Sequence, residues 1–262
     1  MLNWLLRGLR GGRITTRYPR RPESPPYGFH TRVDVIRDDV IRDGAGEQYL
    51  QRLCPTGAIT VTDGRVTLDR GRCILCGECV RLAPDHFGWY GGAYETASRS
   101  RAGLLSDARI DDLDSERPTL AEVGPGLRRS IHVRHIDGGS DGSEEWEIQA
   151  LWNPYYDIQR LGFFLTPAPR HADILLVTGG VTEPMRGPLE RTWQVMPAPK
   201  ALVAVGTDAC SGGLAADSGL VAGGVDQVLP VDVYVPGSPP APIAIMHGLL
   251  QAVGILGPEA VR

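Results

Sequence analysis

The sequence lacks any long hydrophobic run. No stretch of about eighteen or more apolar residues occurs in the 262-residue chain, so no segment is predicted to cross a bilayer as a helix. The first ten residues, MLNWLLRGLR, are interrupted by Arg7 and Arg10 and lack the small-residue cleavage site of a signal peptide. Arg20 and Arg21 are followed by PESPP rather than by an apolar run, which argues against a twin-arginine signal. We therefore expect the protein to stay in the cytoplasm.

A large excess of charge of one sign is also absent. The formal net charge is −4 and charged residues make up 22% of the chain, so the overall balance gives no reason to expect nucleic acid as a partner. The distribution is uneven, because residues 1–22 contain six arginines and no acidic residue whereas residues 106–122 are rich in Asp and Glu. The chain is long enough for two domains, each with its own core.

Cysteine is scarce and clustered. Four of the five cysteines lie between residues 54 and 79, and in a cytoplasmic protein they are predicted to be metal ligands or free thiols rather than disulfides. Cys73, Cys76 and Cys79 have the C-x2-C-x2-C spacing of a ferredoxin loop, whose further ligand is a cysteine that precedes a proline. Cys54 precedes Pro55. The predicted ligand set of one [4Fe-4S] cluster is therefore Cys54, Cys73, Cys76 and Cys79.

The ligands of a second cluster are missing together. Two-cluster ferredoxins would need three cysteines shortly before Cys54 and one before Pro84, but the sequence has VIRDGAGEQYLQRL and Ala83 at these places. Two alternatives stay open for the four cysteines that are present. They could bind a structural zinc ion, although zinc sites usually pair their ligands in two separated knuckles, or they could be a remnant without redox activity.

The first residues predict an amphipathic helix. On a helix, most of the apolar residues would lie on one face and the arginines elsewhere. The apolar residues are Leu2, Trp4, Leu5, Leu6 and Leu9, and the arginines are Arg7 and Arg10. This pattern is typical of a helix that lies in a membrane interface, and a short helix docked on a partner protein is the alternative. The proline-rich residues 18–30 are interpreted as an extended tether.

The chain as a whole divides into four parts. Residues 1–30 form the helix and tether, 31–94 a compact α+β ferredoxin-like domain, 95–129 a polar acidic linker, and 130–262 an α/β domain. In the last part, strands are predicted at RSIHVRHID, ADILLVTGG and ALVAVGT, and helices at EEWEIQALWNPYYDIQRLG, PLERTWQVM and from about Pro242 to Gly254. Near-continuous apolar strands favour a doubly wound, flavodoxin-like parallel sheet. Its chemistry is expected in the loops after Asp137, Gly179, Thr207 and Val235.

Two groups of motifs carry a family resemblance. The N-terminal third, with TTRYP, CPTGAI and CILCGEC, resembles the ferredoxin-type subunit of complex I and of energy-converting [NiFe] hydrogenases. The part from Ser130 onward, with RHIDGGSDGSEEWEIQAL, PRHADILLVTGGVTEPM, VAVGTDACSGG and VLPVDVYVPGSPPAP, resembles the small subunit of the same machines, which holds the proximal or terminal cluster. The chain thus looks like a fusion of two subunits.

The resemblance implies a site whose cluster ligands are replaced. Read without gaps, the family's four proximal-cluster cysteines fall on Asp141, Glu144, Asp208 and Ser238, and Cys210 stands two residues past the third position. Oxygen donors suit protons, magnesium or calcium better than iron-sulfur clusters. We therefore hypothesise a proton or cation site or an ion-paired knot, with ordinary polar loop residues as the alternative.

The resemblance also implies a role and partners. We expect a non-catalytic iron-sulfur subunit in the peripheral arm of a complex I-like or hydrogenase-related assembly on the cytoplasmic face of the cell membrane. Its partners would be a hydrogenase large-subunit-like or quinone-module-like protein, membrane antiporter-like subunits and the membrane surface. The alternative is a scaffold or coupling subunit whose cluster is structural, in a complex that has lost hydrogenase or quinone chemistry. An independent ferredoxin-like carrier fits poorly with the large second domain.

Overall fold

The computed structural model describes residues 2–39, 45–90, 92, 94–109, 112, 114–115, 117–124, 126 and 129–257, and the side chains of residues 2–5 and 45 are outside this description. The helices are α1 (Leu2–Gly11), α2 (Ala45–Arg52), α3 (Glu78–Leu82), α4 (Leu120–Val123), α5 (Ser143–Ala150), α6 (Glu183–Val195), α7 (Thr207–Ser211) and α8 (Pro242–Val253). The strands are β1 (Val33–Val35), β2 (Ile59–Thr62), β3 (Arg65–Leu68), β4 (Phe87–Trp89), β5 (Ile131–Asp137), β6 (Phe163–Leu165), β7 (Ile174–Thr178), β8 (Ala201–Val205) and β9 (Val233–Val235).

The C-terminal domain is built on a parallel sheet of five strands. Their order is β6-β5-β7-β8-β9, and every neighbouring pair is parallel. This is the flavodoxin-like order, whose direction reverses at the switch point between β5 and β7. The predicted α/β domain is confirmed. Strands β5, β7, β8 and β9 end at Asp137, Thr178, Val205 and Val235, so the predicted loops lie at one edge of the sheet.

Both faces of the sheet are covered. On one face, Ile174, Leu176 and Val203 pack into a cluster with the fully buried helix α8. On the other face, Leu175 and Leu202 pack into a second cluster that also includes residues of α6 and α7. Residues of β7 and β8 are buried on both sides of the backbone, which explains why their sequences are continuously apolar.

One predicted helix is wrong in extent. The segment EEWEIQALWNPYYDIQRLG forms α5 only as far as Ala150, followed by a turn and a short 3-10 helix at Ile158–Leu161. The reason is local: Pro154 cannot continue a helix, and the Asn153 side chain accepts hydrogen bonds from the backbone of Tyr155 and Tyr156. The edge strand β6 follows and was not predicted. Helix α6 also begins earlier than predicted, at Glu183 rather than at Pro188.

The N-terminal domain consists of two antiparallel strand pairs and two short helices. β1 pairs with β4, and β2 pairs with β3. They enclose a separate apolar cluster that includes Val33, Leu68 and Phe87. This arrangement is α+β, and its assignment to the ferredoxin-like fold stays a prediction.

The segments flanking the first domain are anchored. Within the predicted tether, Tyr18 is buried in the core of the C-terminal domain, and its carbonyl accepts a hydrogen bond from Arg160 at 2.5 Å. Within the predicted linker, Ser98 pairs with Tyr234 of β9 by two backbone hydrogen bonds. Further along, Leu105 bridges to Asp69 beside β3. The described part of the linker therefore contacts both domains.

The amphipathic helix is present at the start of the chain. On α1, the side chains of Leu6 and Leu9 are exposed, as are those of Arg7 and Arg10; the side chains of Leu2, Trp4 and Leu5 lie outside the described residues. Searched over the described residues, the structure contains no helix that is long and apolar enough to cross a membrane.

Candidate functional site

The four predicted cluster ligands come together at one end of the N-terminal domain. Cys54 follows α2, Cys73 and Cys76 lie in the loop after β3, and Cys79 lies in the first turn of α3. Cys54, Cys73 and Cys79 belong to or pack against the same apolar cluster, whereas Cys76 is exposed. All four are free thiols. The site therefore combines three partly or fully buried sulfurs with one at the surface.

The thiols are close enough to interact electrostatically. Burial, reinforced by the charges of the other three cysteines, raises the pKa of Cys73 to about 12. Burial likewise raises the pKa of Cys79 to about 11, with contributions from Cys76 and Cys54. Four neighbouring thiolates are unfavourable without a cation, and bound metal removes that cost because it ligates the deprotonated form.

Backbone amides point at the sulfurs. The N–H of Ala58 donates to Cys54 Sγ at 3.3 Å, and backbone hydrogen bonds from Leu75 and Val80 favour the thiolates of Cys73 and Cys79. Such donors stabilise cluster sulfurs and help to set their potential. The donor set and the chemistry of the residues therefore fit an iron-sulfur cluster.

The loop is held in a conformation that few residues adopt. Leu75 has φ 57°, and Gly77 has φ 75°. A left-handed conformation costs a non-glycine residue about 1–2 kcal/mol, so the loop is held in it by its surroundings. At Gly77 a side chain is also excluded by space, since a Cβ would lie 2.7 Å from the Trp89 ring.

Within the described ranges, no group of three or more His, Cys, Asp or Glu residues is arranged to hold a single metal ion. A zinc ion and an iron-sulfur cluster both stay open for the four cysteines at this point.

The position of the missing fourth cysteine is filled by the core. Ala83 follows α3 and packs in the same apolar cluster as Cys79. Its backbone N–H donates to the carbonyl of Cys79 at 2.8 Å. In the region before Cys54 that lacks cysteines, residues 40–44 lie outside the described part, and the remainder is α2 followed by Leu53.

Three of the four positions that the resemblance assigns to cluster cysteines come together at the edge of the parallel sheet. Asp141 lies two residues before α5, Glu144 lies in its first turn, and Asp208 lies in α7. Glu144 is only 2% exposed, and its carboxylate fills the space beside Gly206, where an added Cβ would collide with Oε1. We call Asp141, Glu144 and Asp208 the carboxylate pocket. Ser238, the fourth position, is exposed in the loop after β9.

Burial and mutual repulsion perturb these carboxyl groups. Burial raises the pKa of Glu144 to about 7, with Asp208 and Asp141 adding to the increase. The pKa of Asp208 is also raised by burial and by Asp141. Hydrogen bonds from Ser143 lower the pKa of Asp141, and Ser143 N donates to Asp141 Oδ1 at 2.9 Å. Of the three carboxyl groups, Glu144 is therefore the one whose protonation changes near neutral pH.

Cys210 lies away from the pocket. Its side chain is buried in the second apolar cluster on the other face of the sheet, and burial raises its pKa. The charges that act on it are those of Arg101, Asp69 and Asp226 rather than the carboxylate pocket.

Two threonines that sequence reasoning missed connect these features. Thr207, fully buried, donates from Oγ1 to the carbonyl of Cys73 at 2.9 Å, which joins the cysteine loop to α7 next to Asp208. Thr56 donates to the carbonyl of Arg72 at 2.6 Å. In the sequence, the only signal of a role for these threonines was their position: Thr56 follows Cys54, and Thr207 follows β8.

A second polar group occupies the switch point. His135 Nε2 lies 3.1 Å from Thr178 Oγ1, and Thr178 donates to Glu145. Ser140 donates to the other oxygen of Glu145 at 2.8 Å. Burial lowers the pKa of His135. These contacts hold the His135 ring in place beside Thr178 and Glu145.

Comparison with known proteins places the C-terminal domain. Residues 142–252 match the model of the NADH ubiquinone oxidoreductase 20 kDa subunit family. The probable membrane-bound hydrogenase subunit mbhJ of Pyrococcus furiosus is 39% identical over 144 residues, which cover 53% of this chain and 86% of that protein. The chain belongs to this family. The small-subunit resemblance is thereby confirmed.

Other members of the 20 kDa subunit family match more partially. Formate hydrogenlyase subunit 7 of Escherichia coli is 45% identical over 130 residues, covering 50% of this chain and 51% of that protein. An NADH-quinone oxidoreductase subunit of Heliobacterium modesticaldum is 43% identical over 106 residues, covering 40% and 61%. The chain thus spans about half the length of the formate hydrogenlyase subunit. The family match includes Glu144, Asp208 and Ser238, whereas the four clustered cysteines lie before it.

Proposed function

We propose that this chain is the iron-sulfur subunit of the peripheral arm in a membrane-associated complex that is related to complex I and to energy-converting hydrogenases. It holds one [4Fe-4S] cluster on Cys54, Cys73, Cys76 and Cys79 for electron transfer. The observation that carries this proposal is the group of four interacting thiols with backbone N–H donors around them. Family membership supports the type of complex.

The chain's own residues supply the surroundings of the cluster. When bound, the cluster supplies one-electron transfer. The four cysteines provide the thiolates, the backbone amides of the loop stabilise their charge, and Trp89 closes over Gly77 beside them. Cys73 and Cys79 are largely buried, so the dielectric constant around their sulfurs is low. Nearby dipoles therefore have a strong effect on the relative stability of the oxidised and reduced cluster.

The anchored segments support a place at a membrane. Tyr18 is buried in the C-terminal domain, so the segment that follows α1 is anchored to that domain. On α1, Leu6 and Leu9 present exposed apolar surface next to arginines. We propose that α1 lies on the cytoplasmic face of the membrane. The proposed partners are a hydrogenase large-subunit-like or quinone-module-like protein and antiporter-like membrane subunits.

The carboxylate pocket favours a second function. If the family's proximal cluster is replaced here by Asp141, Glu144 and Asp208, electrons would not pass through this position. The chain would then act as a scaffold or coupling subunit, with a proton or cation in the pocket and a structural cluster in the first domain. The near-neutral pKa of Glu144 supports the proton version.

Metal analysis of the anaerobically purified full chain tests the cluster. We expect about four irons and four sulfides per chain, with an EPR signal after reduction. Cys54→Ala should remove the iron, whereas Cys210→Ala, a matched change of a buried free thiol, should retain it. Stoichiometric zinc would refute the ferredoxin-type site, and about eight irons would refute the replaced pocket.

The second function has its own test. The triple variant Asp141→Asn, Glu144→Gln, Asp208→Asn is expected to retain its iron but to impair assembly or coupled ion transport by the complex. The triple variant Asp63→Asn, Glu183→Gln, Asp217→Asn, which changes the same number of carboxylates at exposed positions elsewhere, serves as the control. Unchanged assembly and transport would remove the functional interpretation of the pocket.

A further inference from the structure

The hydroxyl group of Thr56 lies between a cluster ligand and a backbone carbonyl. Thr56 is buried in the turn after α2, and its Oγ1 donates to the carbonyl of Arg72 at 2.6 Å. The same Oγ1 lies 3.3 Å from Cys54 Sγ. Cys54 and Arg72 are far apart in the sequence, so this one hydroxyl joins the Cys-Pro turn to the residue before Cys73.

The Thr56 hydroxyl has a single hydrogen, and this limits the hydrogen bonds that it can donate. When Cys54 is a thiol, its S–H donates to Thr56, and Thr56 donates to the carbonyl, so every group is satisfied. A ligating Cys54 has lost its hydrogen, and both neighbours of the Thr56 hydroxyl are then acceptors. The single hydroxyl hydrogen must be shared between the Arg72 carbonyl and the sulfur.

The sulfur's other donor is fixed. Ala58 N–H donates to Cys54 Sγ at 3.3 Å and belongs to the backbone, so it cannot turn away. The Thr56 hydroxyl can rotate about a single bond. Added negative charge on the sulfur strengthens a hydrogen bond to it, so reduction of the cluster favours donation to Cys54 over donation to the carbonyl.

We infer that Thr56 is a positioning residue whose hydroxyl turns toward Cys54 Sγ when the cluster is reduced, and that it thereby raises the reduction potential of the cluster. This inference rests on the proposed function. The step adds one electron to the cluster, and the O–H bond of Thr56 rotates without breaking, so no proton is taken up. Hydrogen bonds to cluster sulfurs are an established means of adjusting potential.

Thr207 provides a matched control. Its hydroxyl is also buried and donates to the next carbonyl along the chain, that of Cys73, at 2.9 Å. In the part of the chain that the structure describes, the Thr207 hydroxyl donates to this backbone carbonyl and contacts no sulfur. Thr207→Val therefore removes a similar hydroxyl that bonds to the same cysteine loop without removing a sulfur contact.

The test measures the midpoint potential of the cluster in the full-length chain by EPR-monitored titration with dithionite. Thr56→Val should shift the midpoint to a more negative potential, Thr56→Ser should restore the wild-type value, and Thr207→Val should change it less than Thr56→Val. A Thr56→Val midpoint equal to the wild-type value would overturn the inference, as would an equal shift in Thr207→Val.

A second readout does not require Thr56→Val to assemble. Hydroxyl hydrogens exchange rapidly with solvent, whereas buried hydrogen-bonded amides exchange slowly. Brief transfer of the reduced wild-type and Thr56→Ser chains into D2O should therefore give a deuteron coupling to the cluster in electron-nuclear double resonance spectra, and absence of this coupling would overturn the inference. A wild-type chain without iron would overturn the proposed function as well, whereas equal potentials in a chain with four irons would leave that function intact.

Discussion

Protonation of Glu144 should make the stability of the protein depend on pH. The group is 2% exposed, and its pKa rises from the ordinary 4.5 to about 7. The folded state therefore binds a proton more tightly than the unfolded state. As pH rises from about 4.5 through 7, the free energy of unfolding should fall by up to about 3 kcal/mol through this one group, because each pKa unit corresponds to about 1.4 kcal/mol.

The variant Glu144→Gln isolates this contribution. It keeps the shape of the side chain and removes the charge, so it should be nearly as stable as the wild type at pH 5 and more stable at pH 8. Urea unfolding of both chains under anaerobic conditions, followed by tryptophan fluorescence, measures the difference. Glu183→Gln, at an exposed position in α6, should show a small difference that is the same at both pH values.

Two results would contradict this reasoning. If Glu144→Gln were destabilised equally at pH 5 and pH 8, the carboxylate would be stabilised in its charged form by its surroundings. If millimolar magnesium or calcium stabilised the wild type at pH 8 but not Glu144→Gln, the pocket would hold a cation rather than a proton. The second result would support the cation version of the pocket hypothesis.

Three further outcomes are expected. His247 is fully buried with its pKa lowered to about 4, so stability should fall by up to about 3 kcal/mol as pH drops from 6.5 to 4, and His247→Gln should flatten that part of an acid-unfolding curve. Gly77→Ala, which collides with Trp89 and strains a left-handed residue, should reduce the iron content, with Gly126→Ala as an open-position control. Leu6→Glu with Leu9→Glu should abolish sedimentation of the chain with anionic lipid vesicles, whereas Leu214→Glu should not.

The parallel sheet could be predicted because its sequence pattern is local. Strands such as Ile174–Thr178 are apolar at nearly every position, and this continuity indicates burial on both faces without knowledge of their partners. β6 escaped prediction because three residues carry little periodicity, and it follows a segment whose composition resembles a helix. Only Pro154 and Asn153 signalled the interruption.

The pairing of Ser98 in the linker with Tyr234 of the C-terminal domain could not be predicted for a different reason. The two residues pair across more than a hundred residues, and the polar, acidic sequence around Ser98 resembles that of an ordinary linker. Edge pairing uses backbone groups, which every residue possesses, so composition does not reveal it. Tyr18 was likewise missed, since a buried tyrosine in a proline-rich segment has no periodic neighbours.

The spacing of residues in the sequence could indicate the cysteine set but could not indicate the carboxylate pocket. Three cysteines at fixed spacing in one loop, with Cys54 before a proline, predict the four ligands from the sequence, and both the ligand set and its cofactor stay predictions. The pocket depended on the sheet, because Asp141 and Asp208 follow different strands and meet only where parallel strands end together. Ser238 was assigned from the same resemblance; it is exposed and follows Gly237, whose carbonyl accepts a hydrogen bond from Thr207 N at 2.7 Å.

The backbone fold sets where a ligand residue lies, whereas its side chain sets what it can bind. The ends of β5 and β8 place the residues at 141, 144 and 208 together whatever their side chains are, because the sheet register sets the backbone. Soft thiolates can therefore be exchanged for hard carboxylates while the surrounding apolar clusters remain packed. The three carboxyl groups differ electrostatically, since the pKa of buried Glu144 is raised to about 7 whereas that of exposed Asp141 is lowered. Thr207 connects the cysteine loop to this pocket, because its hydroxyl donates to the carbonyl of Cys73 and the next residue in α7 is Asp208.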